Sequence, residues 1–109
     1  MAYHYDRAYY RLVYPMTLRP RLWIGTLNYE VVDLSEQGIR FIHAGPDGPG
    51  VGTDLIGRLR LPTGAVLDIE GTVVWVSLPS VALTLSKGVP FGVMIDQQRY
   101  ISQRKFASI

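Results

Sequence analysis

A chain of 109 residues holds one folded domain, and 48% hydrophobic against 18% charged residues excludes extensive disorder. The absence of cysteine excludes a disulfide scaffold, thiolate metal sites and thiol catalysis together. A formal net charge of +2 is too small for bulk coating of nucleic acid, so an anionic partner is expected to be small and locally recognised.

In chain order, residues 1–14 contain Tyr3, Tyr5, Tyr9, Tyr10 and Tyr14 without an apolar period, and read as a flexible ligand-binding arm. Residues 15–109 read as the folded domain. Apolar alternation predicts strands near 18–24, 27–31, 39–43, 55–61, 65–76 and 91–95, with Pro20 marking an edge or irregularity in the first. Gly- and Pro-containing turns separate them. About six short strands in so few residues indicate a small antiparallel barrel or sandwich, and closure would remove exposed edges. The tail, with Tyr100, Ile101, Arg104, Lys105 and Phe106 free of Gly and Pro, predicts a short C-terminal helix over 97–108. Apolar runs such as Val73 to Val76 fall far short of the roughly 18 residues a membrane span needs. No basic start leads into an apolar stretch, so a signal peptide is not indicated and a cytoplasmic location is expected.

Two motifs stand out. Arg7, Ala8, Tyr9, Tyr10 and Arg11 form RxxxR, and Asp33 to Gly38 form DxSxxG at the turn between the second and third expected strands, with 21 residues between the motifs. In a chain this rich in arginine, RxxxR is expected by chance roughly 0.7 times and DxSxxG on the order of a few hundredths, so the second motif carries the weight. Together they resemble the signature of the PilZ domain family of cyclic di-GMP receptors. Gly71, Val73, Val74 and Trp75 resemble that family's penultimate core strand, and Gly92, Val93 and Ile95 its closing strand, with Ile95 in place of an aromatic residue. The resemblance implies an all-β, PilZ-like antiparallel barrel whose ligand contacts fall on Arg7, Arg11, Asp33, Ser35 and Gly38. Many members carry a further arginine just before RxxxR that helps hold a stacked pair of ligands. Here that position is Asp6, which leaves stoichiometry open.

The chemistry of those residues suits the ligand. An arginine fork grips the N7 and O6 acceptors of guanine or stacks on the base, and a carboxylate such as Asp33 accepts from its N1 and N2 donors. The Ser35 hydroxyl can bond a phosphate or base oxygen, while Gly38 allows a positive φ or a close backbone approach. Trp75 closes a Val-rich run and is expected in the core, with a ligand wall as its second role.

His4 and His43 show no metal-ligand spacing. Asp68 and Glu70 share a strand face without a nucleophile beside them, and Arg58 and Arg60 are expected on a solvated face. No catalysis, metal or cofactor is therefore expected. The expected function is sensing of cyclic di-GMP, relayed to an effector protein when the ligand orders the arm, by a monomer or a ligand-dependent dimer. The resemblance implies a role in bacterial motility or biofilm formation. Two alternatives remain: a protein-interaction module with a vestigial ligand site, and a small barrel that binds single-stranded nucleic acid.

Overall fold

The computed structural model describes residues 10–107. Its strands are β1 (Leu12–Val13), β2 (Arg21–Ile24), β3 (Leu27–Ser35), β4 (Gly38–Ile42), β5 (Asp54–Arg60), β6 (Val66–Ser77) and β7 (Ser80–Lys87), followed by the helix α1 (Phe91–Ala107). A single 3-10 turn, Met16–Leu18, precedes β2. Strands β3, β2, β5, β6, β7 and β4 form an antiparallel ring that the β3–β4 pairing closes, while β1 adds a seventh strand against β3.

The inward positions follow from the pleat. Leu22, Leu59, Ile69, Val81 and Leu83 alternate with exposed or half-buried neighbours and are at most 2% exposed, filling the barrel with Val31, Leu34, Phe41 and Val73. Of three register shifts in the ladders, one lies between Glu70 and Gly71 and two reset this alternation. Val31 and Leu34 are three residues apart yet both buried, because the register shifts between Val31 and Asp33. A second shift between Val73 and Trp75 lets Val73 and Val76 both face inward. A bulge inserts one residue and so re-aims the side chains after it. Here the first bulge turns Asp33 and Ser35 to the outside of the barrel.

Several expectations are corrected. Residues 91–95, expected as the closing strand, form the first turns of α1, and β7 takes the closing position instead. A short apolar run such as Phe91 to Ile95 fits strand and helix alike by composition. Pro90 decides it: its carbonyl accepts from the amides of Val93 and Met94, and Met94, Gln97 and Ile101 then recur at helical spacing and are buried. Strand β7 was not among the expected strands, although Val81, Leu83 and Leu85 alternate with Ala82 and Thr84. The expected first strand starts late because Pro20 interrupts it, and Pro20 instead accepts a backbone bond from Val31. Trp75 is not in the core but 47% exposed, on the outer side of the second bulge.

The arm as drawn from the sequence also contains residues built into the barrel. Leu12 pairs with Leu34, Val13 pairs with Asp33, and Tyr14 is 2% exposed. The Tyr14 hydroxyl donates to Gln97 Oε1 at 2.9 Å, and Gln97 Nε2 donates to Thr63 Oγ1 at 3.2 Å, joining β1, α1 and the β5–β6 turn. Burial raises the Tyr14 phenol above its ordinary value of 10.0. The folded chain keeps this proton where the unfolded chain releases it, so the stability it contributes is full below pH 10.0 and is lost as pH rises further. Tyr14→Phe is expected to flatten the alkaline fall in melting temperature. At neutral pH it should cost about 1 to 2 kcal/mol in urea unfolding, because Gln97 Oε1 loses its buried donor.

Candidate functional site

The DxSxxG residues occupy a hairpin. Ser35 pairs with Gly38 across the two-residue turn Glu36–Gln37, which sets Leu34 against Ile39 and Asp33 against Arg40. Strand β7 lies on the other side of β4, with Thr84 opposite Gly38 and Ala82 opposite Arg40. The outward residues form two rows across the barrel: Asp33, Arg40, Ala82 and Trp75, then Ser35, Gly38 and Thr84. Small side chains in the second row leave a cleft of about 750 Å³. Arg11, Asp33, Ser35, Gly38, Arg40 and Val74 are among its walls, whereas Trp75 stands beyond Ala82 and does not border it.

Asp33 organises the charges. Its carboxylate is 5% exposed and accepts from Arg40 Nε at 2.7 Å through Oδ2. Such a charge-assisted bond holds the Arg40 guanidinium in place at the cleft wall. Arg11 Nη1 lies 3.9 Å from Asp33 Oδ1, and its side chain is 67% exposed. A contact that long and that solvated adds little stability, so Arg11 is free to turn toward a ligand. Among the described residues, two guanidiniums against one carboxylate give the cleft a surplus positive charge suited to an anion.

Gly38 sits close to Ser35, whose hydroxyl would have to give way by a few tenths of an ångström to a side chain there. The Gly38 φ is not positive; a Cβ there would meet Ser35 Oγ at 3.2 Å and the Leu83 carbonyl at 3.6 Å. The turn itself is strapped from below, where the Gln37 carbonyl accepts from the Leu85 amide and the Glu36 carbonyl from the Val89 amide, at 2.9 and 2.8 Å. Gly88 packs directly under Glu36.

A family model of the PilZ domain matches residues 5–103. The chain belongs to the PilZ domain family. PilZ domains are in general non-catalytic receptors for cyclic di-GMP. Comparison with curated proteins and with solved structures returned no match.

In this PilZ domain the hairpin and the cleft bring together Arg11, Asp33, Ser35 and Gly38, which the motifs singled out, while Arg7 lies outside the described residues. Arg40 and Thr84 were missed by motif reasoning. Arg40 could have been found, because a two-residue turn at Glu36–Gln37 places it opposite Asp33 by counting alone. Thr84 could not, since it depends on which strand closes the barrel. Among the described residues no group of three His, Asp or Glu side chains could hold a metal ion, and no helix is long and apolar enough to cross a membrane.

Proposed function

We propose that this chain is a non-catalytic receptor that binds cyclic di-GMP in the cleft over β3, β4 and β7. The observation that carries the reading is the buried Asp33 carboxylate, which fixes Arg40 and stands 3.9 Å from Arg11 at the edge of a cleft floored by Ser35, Gly38 and Thr84. Arg11 and Arg40 supply forks for a phosphodiester or a guanine Hoogsteen edge. Asp33 Oδ1 accepts from guanine N1 and N2 once Arg11 swings to the ligand, and Ser35 and the Gly38 backbone approach the phosphate. Arg7 completes the set from the N-terminal segment, whereas Trp75, set beyond Ala82 and outside the cleft, takes no part.

Arg11 stands only three residues before Tyr14, whose phenol is bonded to Gln97 of α1. Ordering of the N-terminal segment by the ligand would therefore act on the helix as well as on the barrel surface, and would present an altered face to a protein partner. A ligand can shift that equilibrium only through contacts made in one state, and Arg7 and Arg11 make them.

Titration calorimetry tests the reading. Cyclic di-GMP is expected to bind with an isotherm that gives stoichiometry directly, and cyclic di-AMP to bind at least about 100-fold more weakly, because adenine offers Asp33 no N1–N2 donor pair. Equal affinity for the two dinucleotides would remove Asp33 from base recognition.

A further inference from the structure

The outer face of β2, β5 and β6 carries a second charged groove, away from the cleft on β3, β4 and β7. Arg21 and Arg60 sit directly opposite each other across β2 and β5, with Val66 next in the row. The following row is Trp23, Arg58 and Asp68. Like charges placed opposite on a sheet repel and destabilise the pair. Arg58 Nε is satisfied by Asp68 Oδ1 at 3.3 Å, and Glu30, which stands opposite Arg21 on β3, is bonded to Arg19 at 3.2 Å, so among the described residues Arg21 and Arg60 have no ion-pair partner of their own. Arg21 Nη1 donates only to the neutral Asn28 Oδ1, at 3.3 Å. Trp23 stays 38% exposed between two hollows of about 340 and 530 Å³ that share it with Gly25 and Arg58. Gly25 and Gly64 leave the ends of this groove open, since a Cβ at either would touch nothing within 4 Å.

We infer that this face docks an extended protein segment in which acidic side chains alternate with apolar ones. The acidic side chains neutralise the Arg21–Arg60 pair, and the apolar ones lie on Trp23 and Val66. Tryptophan and arginine side by side are the residue types that dominate protein interfaces, and alternate side chains of an extended peptide reach the two kinds of site in turn. Charge complementarity favours a peptide over a nucleic acid strand. Asp68 and Glu70 line one of the two hollows, so an evenly charged run of phosphates meets negative charge there, whereas an alternating peptide can set its acidic side chains at Arg21 and Arg60 and its apolar ones elsewhere; among the described residues Trp23 is also the one aromatic side chain lining the two hollows, where a nucleic acid strand needs a ladder of them. The inference gives the partner of the proposed relay a chemistry, but it stands on a different face from the ligand cleft.

Fluorescence anisotropy at low ionic strength provides the test, using three labelled probes: a short peptide of alternating Glu and Leu, its Gln–Leu counterpart, and an oligothymidylate of similar length. The Glu–Leu peptide is expected to bind, with Gln–Leu and oligothymidylate each weaker by about tenfold or more. Arg60→Glu and Trp23→Ala should each weaken the Glu–Leu peptide by about tenfold or more. Arg60→Glu also turns the opposed arginines into an ion pair, so its melting temperature should equal or exceed the parent's. Equal binding of the Gln–Leu peptide, tighter binding of oligothymidylate, no binding of the Glu–Leu peptide, unchanged affinity in Arg60→Glu, or a lower melting temperature in that variant would each overturn the inference. No arm contains cyclic di-GMP, so the outcome is independent of the cleft's assignment.

Discussion

Replacing Asp33 by alanine is expected to weaken cyclic di-GMP binding by about 2 to 3 kcal/mol, roughly 30- to 150-fold, while the barrel stays folded. The effect should exceed that of any other single change in the cleft, because one carboxylate does two things. It accepts the 2.7 Å bond that fixes Arg40, and its second oxygen faces Arg11 and the expected base edge. Without it Arg40 is a tethered but unpositioned charge, and ordering that side chain must then be supplied by the ligand. Folding should tolerate the change, since Arg40 is 36% exposed and water can solvate it. Calorimetry on Asp33→Ala, with circular dichroism to verify the fold, measures both quantities. Affinity within twofold of the parent would show that the carboxylate neither orients Arg40 for the ligand nor touches the base.

The largest loss of stability is expected from Gly88→Ala, far from any motif. A Cβ at Gly88 would lie 2.0 Å from the Glu36 carbonyl oxygen and 3.2 Å from its carbon. These are backbone atoms on a turn held by the Leu85 and Val89 amides, so nothing flexible can move aside. Relieving the clash means pulling β7 from the Glu36–Gln37 turn, at about 2 to 3 kcal/mol and roughly 10 °C of melting temperature. Because that turn carries Ser35 and Gly38, ligand affinity should fall with stability. Gly92→Ala is the control: it lies in α1 with nothing within 4 Å of the added carbon, and should raise stability by about 0.5 to 1 kcal/mol. A Gly88→Ala protein as stable as the parent would mean that the strap under the turn is not fixed.

The barrel was legible in the sequence at β3, β4 and β6, and the hairpin of the DxSxxG motif was placed correctly between its two strands. Strand β7 was missed although Val81, Leu83 and Leu85 alternate cleanly, because the apolar run at 91–95 took its place as the last strand. The other errors fall where one-dimensional periodicity is silent. The bulges at Val32 and Val74 shift the inward face by one residue, so that Trp75, at the end of an apolar run, points outward. The run from Phe91 to Ile95 has the composition of a strand, yet Pro90 and the burial of Met94, Gln97 and Ile101 make it helix. In the cleft, the motif supplied Asp33, Ser35 and Gly38, but not what Asp33 holds. That partner, Arg40, emerges only from cross-strand register, and Thr84 only from barrel closure, which is a long-range property. Tyr14 read as part of an arm because tyrosines surround both arginines, whereas its burial depends on Gln97, 83 residues away.

The central claim is that cyclic di-GMP binds over the β3–β4 hairpin, and amide-resolved NMR titration of the intact chain tests it most directly. On saturation the largest shifts are expected at Asp33, Ser35, Gln37, Gly38, Arg40 and Thr84, with smaller ones at Gln97 through the Tyr14 bond. Shifts concentrated instead on Trp23, Arg58 and Arg60, or no shifts at all in the hairpin under demonstrated binding, would contradict it.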